Sequence, residues 1–136
     1  IINNRKKRTD ILVFNKKGDI HSTWTAMGKG TVDWPRYFSK WQDTCPEVPV
    51  FLEIISGLTK TFPPRSDKKF WSAYQDINTS DYDAFKEMTR KGDRQQTYHT
   101  YKNLDRKLLF SAEYMQEQLE TSLAYCKNIL GLGRKS

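Results

Sequence analysis

The spacing of hydrophobic and polar positions predicts β-strands in the first half of the chain. An apolar run at 11–14 is followed by the polar segment 15–19 and by a second run at 20–24, which is typical of a β-hairpin. A further apolar run at 50–56 shows no regular polar alternation. We therefore expect it to form a strand that is buried on both faces, as in a parallel sheet.

Helix signals follow the hairpin and dominate the second half of the chain. Asp33 is a good helix cap, and Pro35 fits the first turn of the helix that would begin there. Gly92 and Gly131 are stop signals for two later helices. The predicted helices span about residues 34–43, 66–75, 81–91 and 104–130, with a polar loop at 93–103.

The last predicted helix carries an apolar stripe at helical spacing. A stripe of this kind is stable when it is buried against another element, so we expect it to pack on the sheet or on a partner. Its members are Leu108, Leu109, Met115, Leu119, Leu123, Cys126 and Leu130.

Length limits the fold that the chain can complete by itself. Its 136 residues suffice for one domain with a modest core. A closed eight-stranded α/β barrel needs roughly 250 residues. Because the sequence begins with Ile1 and not with methionine, we expect a processed product or a piece of a longer polypeptide.

The net charge of +7 is concentrated at the two ends of the chain. Arg5–Arg8 and the pair Arg134–Lys135 supply six positive charges, which leaves the rest of the chain near neutral. We interpret residues 1–9 as a basic tail and residues 10–133 as the folded domain. Because a basic tail contacts phosphates without reading bases, the charge is only weak support for a nucleic-acid partner.

Cysteine usage and hydropathy favour a cytoplasmic protein that does not enter the membrane. Cys45 and Cys126 form no metal-type pair, which favours two reduced thiols. No run approaches the ~18 consecutive apolar residues of a membrane span, and the N-terminal region has no long apolar signal segment.

Glu53 is the residue with the strongest chemical signal. It is the one carboxylate in the apolar run 50–56, and a buried carboxylate requires a cation, a hydrogen-bonding network or a substrate as its partner. Catalytic residues of α/β barrels lie at the carboxyl ends of strands, where the sequence places Glu53. An ion pair with a lysine or arginine at the end of the sheet is the structural alternative.

Two motifs carry a resemblance to a known family. The first is Trp24-Thr25-Ala26-Met27-Gly28-Lys29-Gly30-Thr31-Val32-Asp33-Trp34, and the second is Pro49-Val50-Phe51-Leu52-Glu53-Ile54-Ile55-Ser56. With the hairpin and a closing helix that contains Ser122-Leu123-Ala124-Tyr125, they resemble the C-terminal part of the sugar phosphate isomerase/epimerase family. That family has the xylose isomerase-like TIM barrel fold. By this resemblance, the chain from about Asp10 onward would be the last two βα units of such a barrel, with a hairpin and a long C-terminal helix.

The resemblance implies a proton transfer next to a sugar carbonyl that depends on a divalent metal. In this family the glutamate on the last strand ligates the metal and can move the proton, and Glu53 lies at the matching position. Mn²⁺ or Mg²⁺ suits carboxylate ligands. The substrate would be a sugar or sugar phosphate, for which His21 and Trp24 are candidate contacts. The chain departs from the family at Lys7-Arg8-Thr9-Asp10, where a His-x-Lys/Arg-Asp segment is common.

Two hypotheses of different classes follow. The chain is either a segment of an isomerase or epimerase that is active only with the remaining barrel strands, or a non-catalytic remnant or small interaction module of the same fold. Its partner would be the rest of the barrel or a second copy. Simpler interpretations remain for individual residues: a surface hydrogen bond for His21, a backbone turn for Gly28 and Gly30, and core packing for Trp24.

Overall fold

The hairpin predicted from the sequence lies at the centre of the fold. In the computed structural model, which describes residues 6–8 (backbone alone), 10–55, 58–94, 107–108 and 111–133, two strands pair antiparallel from Asp10↔Thr25 to Lys16↔Asp19. The turn residues Lys17 and Gly18 have φ of 54° and 89°, as a two-residue hairpin turn requires.

The described residues form five strands, four α-helices and, between the second and third helices, a 3₁₀ turn. They are β1 (Lys6–Arg8), β2 (Asp10–Lys16), β3 (Asp19–Thr25), α1 (Trp34–Thr44), β4 (Val50–Leu52), β5 (Thr59–Phe62), α2 (Lys68–Trp71), the 3₁₀ turn Ser72–Tyr74, α3 (Thr79–Arg94) and α4 (Ala112–Asn128).

A third strand extends the hairpin. β5 pairs antiparallel with β3, from Ile20↔Phe62 to Thr23↔Thr59, so the sheet order is β2-β3-β5. The hydrophobic pattern gave no signal for β5, because three of its four side chains are exposed. Its strand state follows from pairing with β3 and not from local preference.

The other two strands form a separate parallel pair. β1 lies beside β4, with Lys6↔Val50 and Arg8↔Leu52 in register. The basic segment that we interpreted as a tail therefore contains a strand at Lys6–Arg8. The prediction of a long, doubly buried strand at 50–56 is wrong in two respects, since β4 ends at Leu52 and the Phe51 side chain is 41% exposed.

The main hydrophobic core lies between α1, α4 and the glycine-containing loop. Its buried members are Met27, Trp34, Phe38, Trp41 and Cys126. The predicted start of α1 is confirmed, because the Asp33 side chain accepts a hydrogen bond from the Arg36 N–H at 3.2 Å and proline occupies the first turn. The three buried aromatic side chains of α1 lie on one face of the helix, so this face packs against the core.

Helix α3 crosses β2 at very short range. A Cβ atom at Gly92 would overlap the backbone carbonyl of Val13, so only glycine allows this approach. Helix α3 continues to Arg94, so Gly92 lies inside it. The prediction that Gly92 ends the helix is wrong. The rest of the predicted loop, 95–103, lies outside the described residues.

Helix α4 is shorter than predicted and buries only part of the predicted apolar stripe. It begins at Ala112, and the predicted start at 104–106 lies outside the described residues. Leu119 and Leu123 are 40% and 51% exposed, whereas Ser122 and Cys126 are buried. The apolar stripe is thus only partly covered, and the packed face is set by polar contacts that are described below.

These elements make a small α/β domain with a three-stranded antiparallel sheet. Among the strands that the structure describes, neither sheet closes into a barrel. The α/β class predicted from the sequence is confirmed at this level. None of the described helices is long and apolar enough to cross a membrane.

Candidate functional site at the ends of the parallel strands

Glu53 lies at the carboxyl end of the parallel strand pair. It directly follows Leu52, the last residue of β4, and its side chain is half-buried. Because β1 and β4 run parallel with Arg8 opposite Leu52, both strands end at the same edge. Ligands of open α/β sheets and of TIM barrels bind at the carboxyl edge of the strands. Glu53 lies at this edge of the β1–β4 pair.

Asp10, at the start of β2, holds the glycine-containing loop at 26–31. Its Oδ2 accepts hydrogen bonds from the N–H groups of Gly28 and Gly30, at 2.9 and 3.0 Å. Its Oδ1 accepts from the N–H of Ile11 at 2.8 Å. The side chain is fully buried, so these three donors replace the water that its carboxyl group has lost.

The other loop N–H groups are also satisfied within the chain. On α4, Gln118 Oε1 accepts from the N–H of Ala26 and Ser122 Oγ from that of Met27, both at 3.0 Å. Lys29 and Thr31 donate to backbone carbonyls. All six N–H groups of the loop thus have internal partners, which favours the turn interpretation of the glycines over a phosphate-binding loop.

Gly28 and Gly30 are required by this packing. Gly28 has a φ of +81°, and a Cβ atom there would collide with the Tyr125 ring. A Cβ atom at Gly30 would overlap the Asp10 carboxyl group and lie 2.5 Å from the Ile11 carbonyl oxygen. The two glycines let the loop backbone come close enough to Asp10 for both hydrogen bonds to form.

Burial raises the pKa of Asp10 above its ordinary value of 3.8. The N–H groups of Gly30 and Ile11, then the Trp34 indole and the Gly28 N–H, act in the opposite direction. The indole contribution falls short of a full hydrogen bond, because Trp34 Nε1 is buried without a partner of good geometry among the described residues. The loss of hydration therefore outweighs the donors.

We predict a pH dependence of stability from this shift. The folded protein holds the Asp10 proton more tightly than the unfolded chain, so the contribution of Asp10 to the free energy of unfolding is largest below pH 3.8. It decreases as the pH rises from there through the folded pKa. Urea unfolding of the wild type and of Asp10→Asn across this range isolates the effect, because asparagine does not titrate. A wild-type advantage that grows with pH would contradict the prediction.

His21 and Trp24 both lie on β3 but on opposite faces. They are three residues apart, and strand side chains alternate between faces. His21 stacks on Phe14 with ring centroids 5.4 Å apart and has its Nδ1 3.2 Å from Thr61 Oγ1. Burial lowers the pKa of His21, and the Asp19 charge partly restores it. Trp24 lies under the Lys60 ammonium, 5.5 Å from its ring centroid.

The three candidate site residues thus lie in different parts of the fold. His21 and Trp24 belong to the antiparallel sheet, whereas Glu53 follows the parallel pair. Their roles in binding substrate stay predictions. The histidine has a partner in Thr61, as the surface-hydrogen-bond interpretation requires.

The donor set for a metal is incomplete in the part of the chain described. No group of three or more His, Cys, Asp or Glu side chains there could hold an ion. Cys45 and Cys126 are free thiols, and burial raises the pKa of Cys126. Glu53 alone does not fit the several ligands that Mn²⁺ or Mg²⁺ takes.

Comparison with known proteins found no relative of this chain. No family model matches the chain, and no curated protein or solved structure is significantly similar to it.

Sequence reasoning missed the polar contacts that position the loop. Gln118 and Ser122 are four residues apart on α4, so they share one helix face, and this spacing was the available signal. It was outweighed by the leucine stripe. Asp10 appeared in the sequence only as part of a family motif, because its partners Gly28 and Gly30 lie 18 and 20 positions away.

Proposed function

We propose that this chain is the C-terminal segment of a metal-dependent sugar (phosphate) isomerase or epimerase, to which it contributes Glu53. The observation that carries the proposal is the position of Glu53 directly after β4, at the shared carboxyl edge of a parallel strand pair. This edge is where barrel enzymes carry their catalytic groups. In this proposal β1 and β4 are neighbouring strands of a TIM barrel whose other strands belong to a longer polypeptide.

Exposed apolar side chains support the proposal that another surface packs against α4. On and near α4, Leu119, Leu123 and Ile129 are 40%, 51% and 62% exposed. Clusters of large exposed apolar groups mark places where another surface packs. Further barrel elements, or a second copy of the chain, would cover them.

Glu53 would act as the proton-transferring carboxylate in this reaction. A half-buried carboxylate can take a proton from the carbon next to a sugar carbonyl and return it to the neighbouring carbon on the same face, which is an isomerisation. An epimerisation would need a second acid on the opposite face of the sugar, which the other barrel strands would have to supply. The described residues do not complete a metal site, so a metal ligand role for Glu53 requires donors from the other strands.

The same incomplete donor set favours the second candidate, a non-catalytic remnant or interaction module of this fold. Isotope exchange separates the isomerase from the non-catalytic candidate. The complete polypeptide that contains this chain would be incubated in deuterated water with a panel of aldoses, ketoses and their phosphates. We expect deuterium next to the carbonyl of at least one substrate, loss of exchange after chelation, and recovery with Mn²⁺ or Mg²⁺. Absence of exchange with every substrate and both metals would contradict the isomerase proposal and leave the non-catalytic interpretation.

A further inference from the structure

A cavity of about 260 Å³ lies between β5, α2 and the start of α3. None of its lining residues belongs to the parallel strand pair or is Glu53. Its walls are almost entirely apolar and mostly aromatic. The side chains used in the argument are Phe62, Trp71, Tyr74, Asp81, Tyr82 and Phe85. The volume is slightly below that of drug-sized ligand sites, so the cavity suits a small chemical group. We refer to it as the aromatic cavity.

The rings of the aromatic cavity meet nearly at right angles. Phe62 and Phe85 have centroids 5.2 Å apart and planes at 82°, and Trp71 and Tyr82 are 5.2 Å apart at 88°. Tyr74 meets Trp71 at 60°. Because these pairs are not stacked, the rings border the cavity at different angles, and each π face that an edge contact leaves open can attract a cation.

The walls are held in place by polar contacts outside the cavity. The Trp71 indole N–H donates to the carbonyl oxygens of Pro63 and Pro64, at 3.1 and 3.0 Å. Asn78 Oδ1 accepts from the backbone N–H of Asp81 at 2.8 Å and fixes the first turn of α3. The cavity is therefore preorganised, and Trp71 has no donor left for a ligand hydroxyl.

Asp81 is the charged residue among those that line the aromatic cavity. Its side chain is exposed and lines the cavity, in the first turn of α3. A carboxylate there offsets the positive end of the helix dipole, which would otherwise oppose a bound cation. The Arg65 guanidinium, which is not part of the lining, lies 5.1 Å from the Trp71 centroid and 5.5 Å from that of Tyr82, so these rings already contact one cation of the chain. Its positive charge opposes a second cation nearby, and the Asp81 carboxylate is the lining group whose charge compensates for it.

We propose that the aromatic cavity binds a small ligand through a methylated ammonium group of the choline type. Such a group carries a positive charge that the π faces and Asp81 attract, and it needs no hydrogen-bond donors or acceptors. A sugar would leave most of its hydroxyl groups without partners on these apolar walls. A neutral apolar ligand would fit the walls but would gain nothing from Asp81.

The test compares choline with dimethylbutanol, its neutral isostere in which carbon replaces nitrogen, and with glucose. Binding is followed through the Trp71 indole N–H signal in NMR titrations of this chain. We expect saturable millimolar binding of choline, roughly tenfold tighter than that of dimethylbutanol. Equal binding of the isostere, tighter binding of glucose, or no saturable shift would overturn the proposal.

Matched variants locate the charge effect. Asp81→Asn should weaken choline several-fold and leave dimethylbutanol unchanged. Asp83→Asn is the control, because Asp83 is exposed on the same helix and lines a different, polar depression. An equal loss with both variants would indicate a bulk charge effect and contradict the assignment. Tyr82→Leu removes a π face while leaving an apolar side chain, and it should abolish the preference for choline while the NMR spectrum stays folded.

Discussion

Replacing Asp10 by alanine is expected to lower the free energy of unfolding by about 3–5 kcal/mol. The substitution leaves the N–H groups of Gly28, Gly30 and Ile11 without their acceptor. Each unsatisfied buried donor costs about 1–3 kcal/mol. Part of this loss is offset because the buried carboxyl group, whose pKa is raised by desolvation, no longer has to be accommodated. Urea or thermal unfolding followed by circular dichroism measures the change.

Two further variants make this measurement specific. Asp10→Asn keeps one oxygen for two of the donors but turns an N–H₂ group toward the third, so about half of the loss is expected. Asp43→Ala removes an exposed carboxylate from α1 and should change stability by less than about 0.5 kcal/mol. If Asp10→Ala were no more destabilising than Asp43→Ala, the loop would not depend on Asp10.

The local parts of the fold could be predicted, because their signals lie within a few residues of each other. The hairpin is encoded by two apolar runs around a turn, and its Lys17-Gly18 turn adopts the required positive φ values. The start of α1 is encoded by Asp33 and Pro35. Turn and capping residues act on their own backbone, so tertiary context changes little about them.

The nonlocal parts could not be predicted, because their causes lie far away in sequence. Lys6–Arg8 becomes a strand through pairing with Val50–Leu52, and its basic composition suggested only a solvated tail. Gly92 reads as a helix stop, but its small size serves the contact of α3 with Val13. Strand pairing and close helix packing each depend on a partner that periodicity within one segment does not identify.

The buried face of α4 illustrates how polar contacts can decide packing. The leucine stripe predicted one face, yet Leu119 and Leu123 are exposed, while Gln118 and Ser122 reach the loop N–H groups. Leaving those N–H groups buried without acceptors would cost more than exposing part of two leucines. For the candidate site, the sequence placed Glu53 near the carboxyl end of a strand, and it lies directly after the last residue of β4. The contacts of such a carboxylate come from residues far away in sequence, so periodicity within one segment does not identify them.

Glu53→Gln is expected to separate catalysis from stability in the complete polypeptide. Glutamine keeps the shape and much of the hydrogen-bonding capacity of glutamate and removes its charge and its basicity. If Glu53 transfers the proton, turnover of the sugar substrate should fall by roughly 10²–10⁴-fold, which is the usual contribution of a positioned acid or base. The melting temperature should stay nearly unchanged, because a carboxylate kept for chemistry contributes little to stability.

The structural alternative makes the opposite prediction for the same variant. A carboxylate that only pairs with a cation at the sheet end would lose about 1–3 kcal/mol of stability on conversion to glutamine, with turnover preserved. Glu47→Gln, an exposed glutamate in the loop before β4, controls for the loss of one negative charge and should change neither quantity. Thermal melting beside a turnover assay distinguishes the two cases. A lower melting temperature with unchanged turnover would contradict the catalytic role of Glu53.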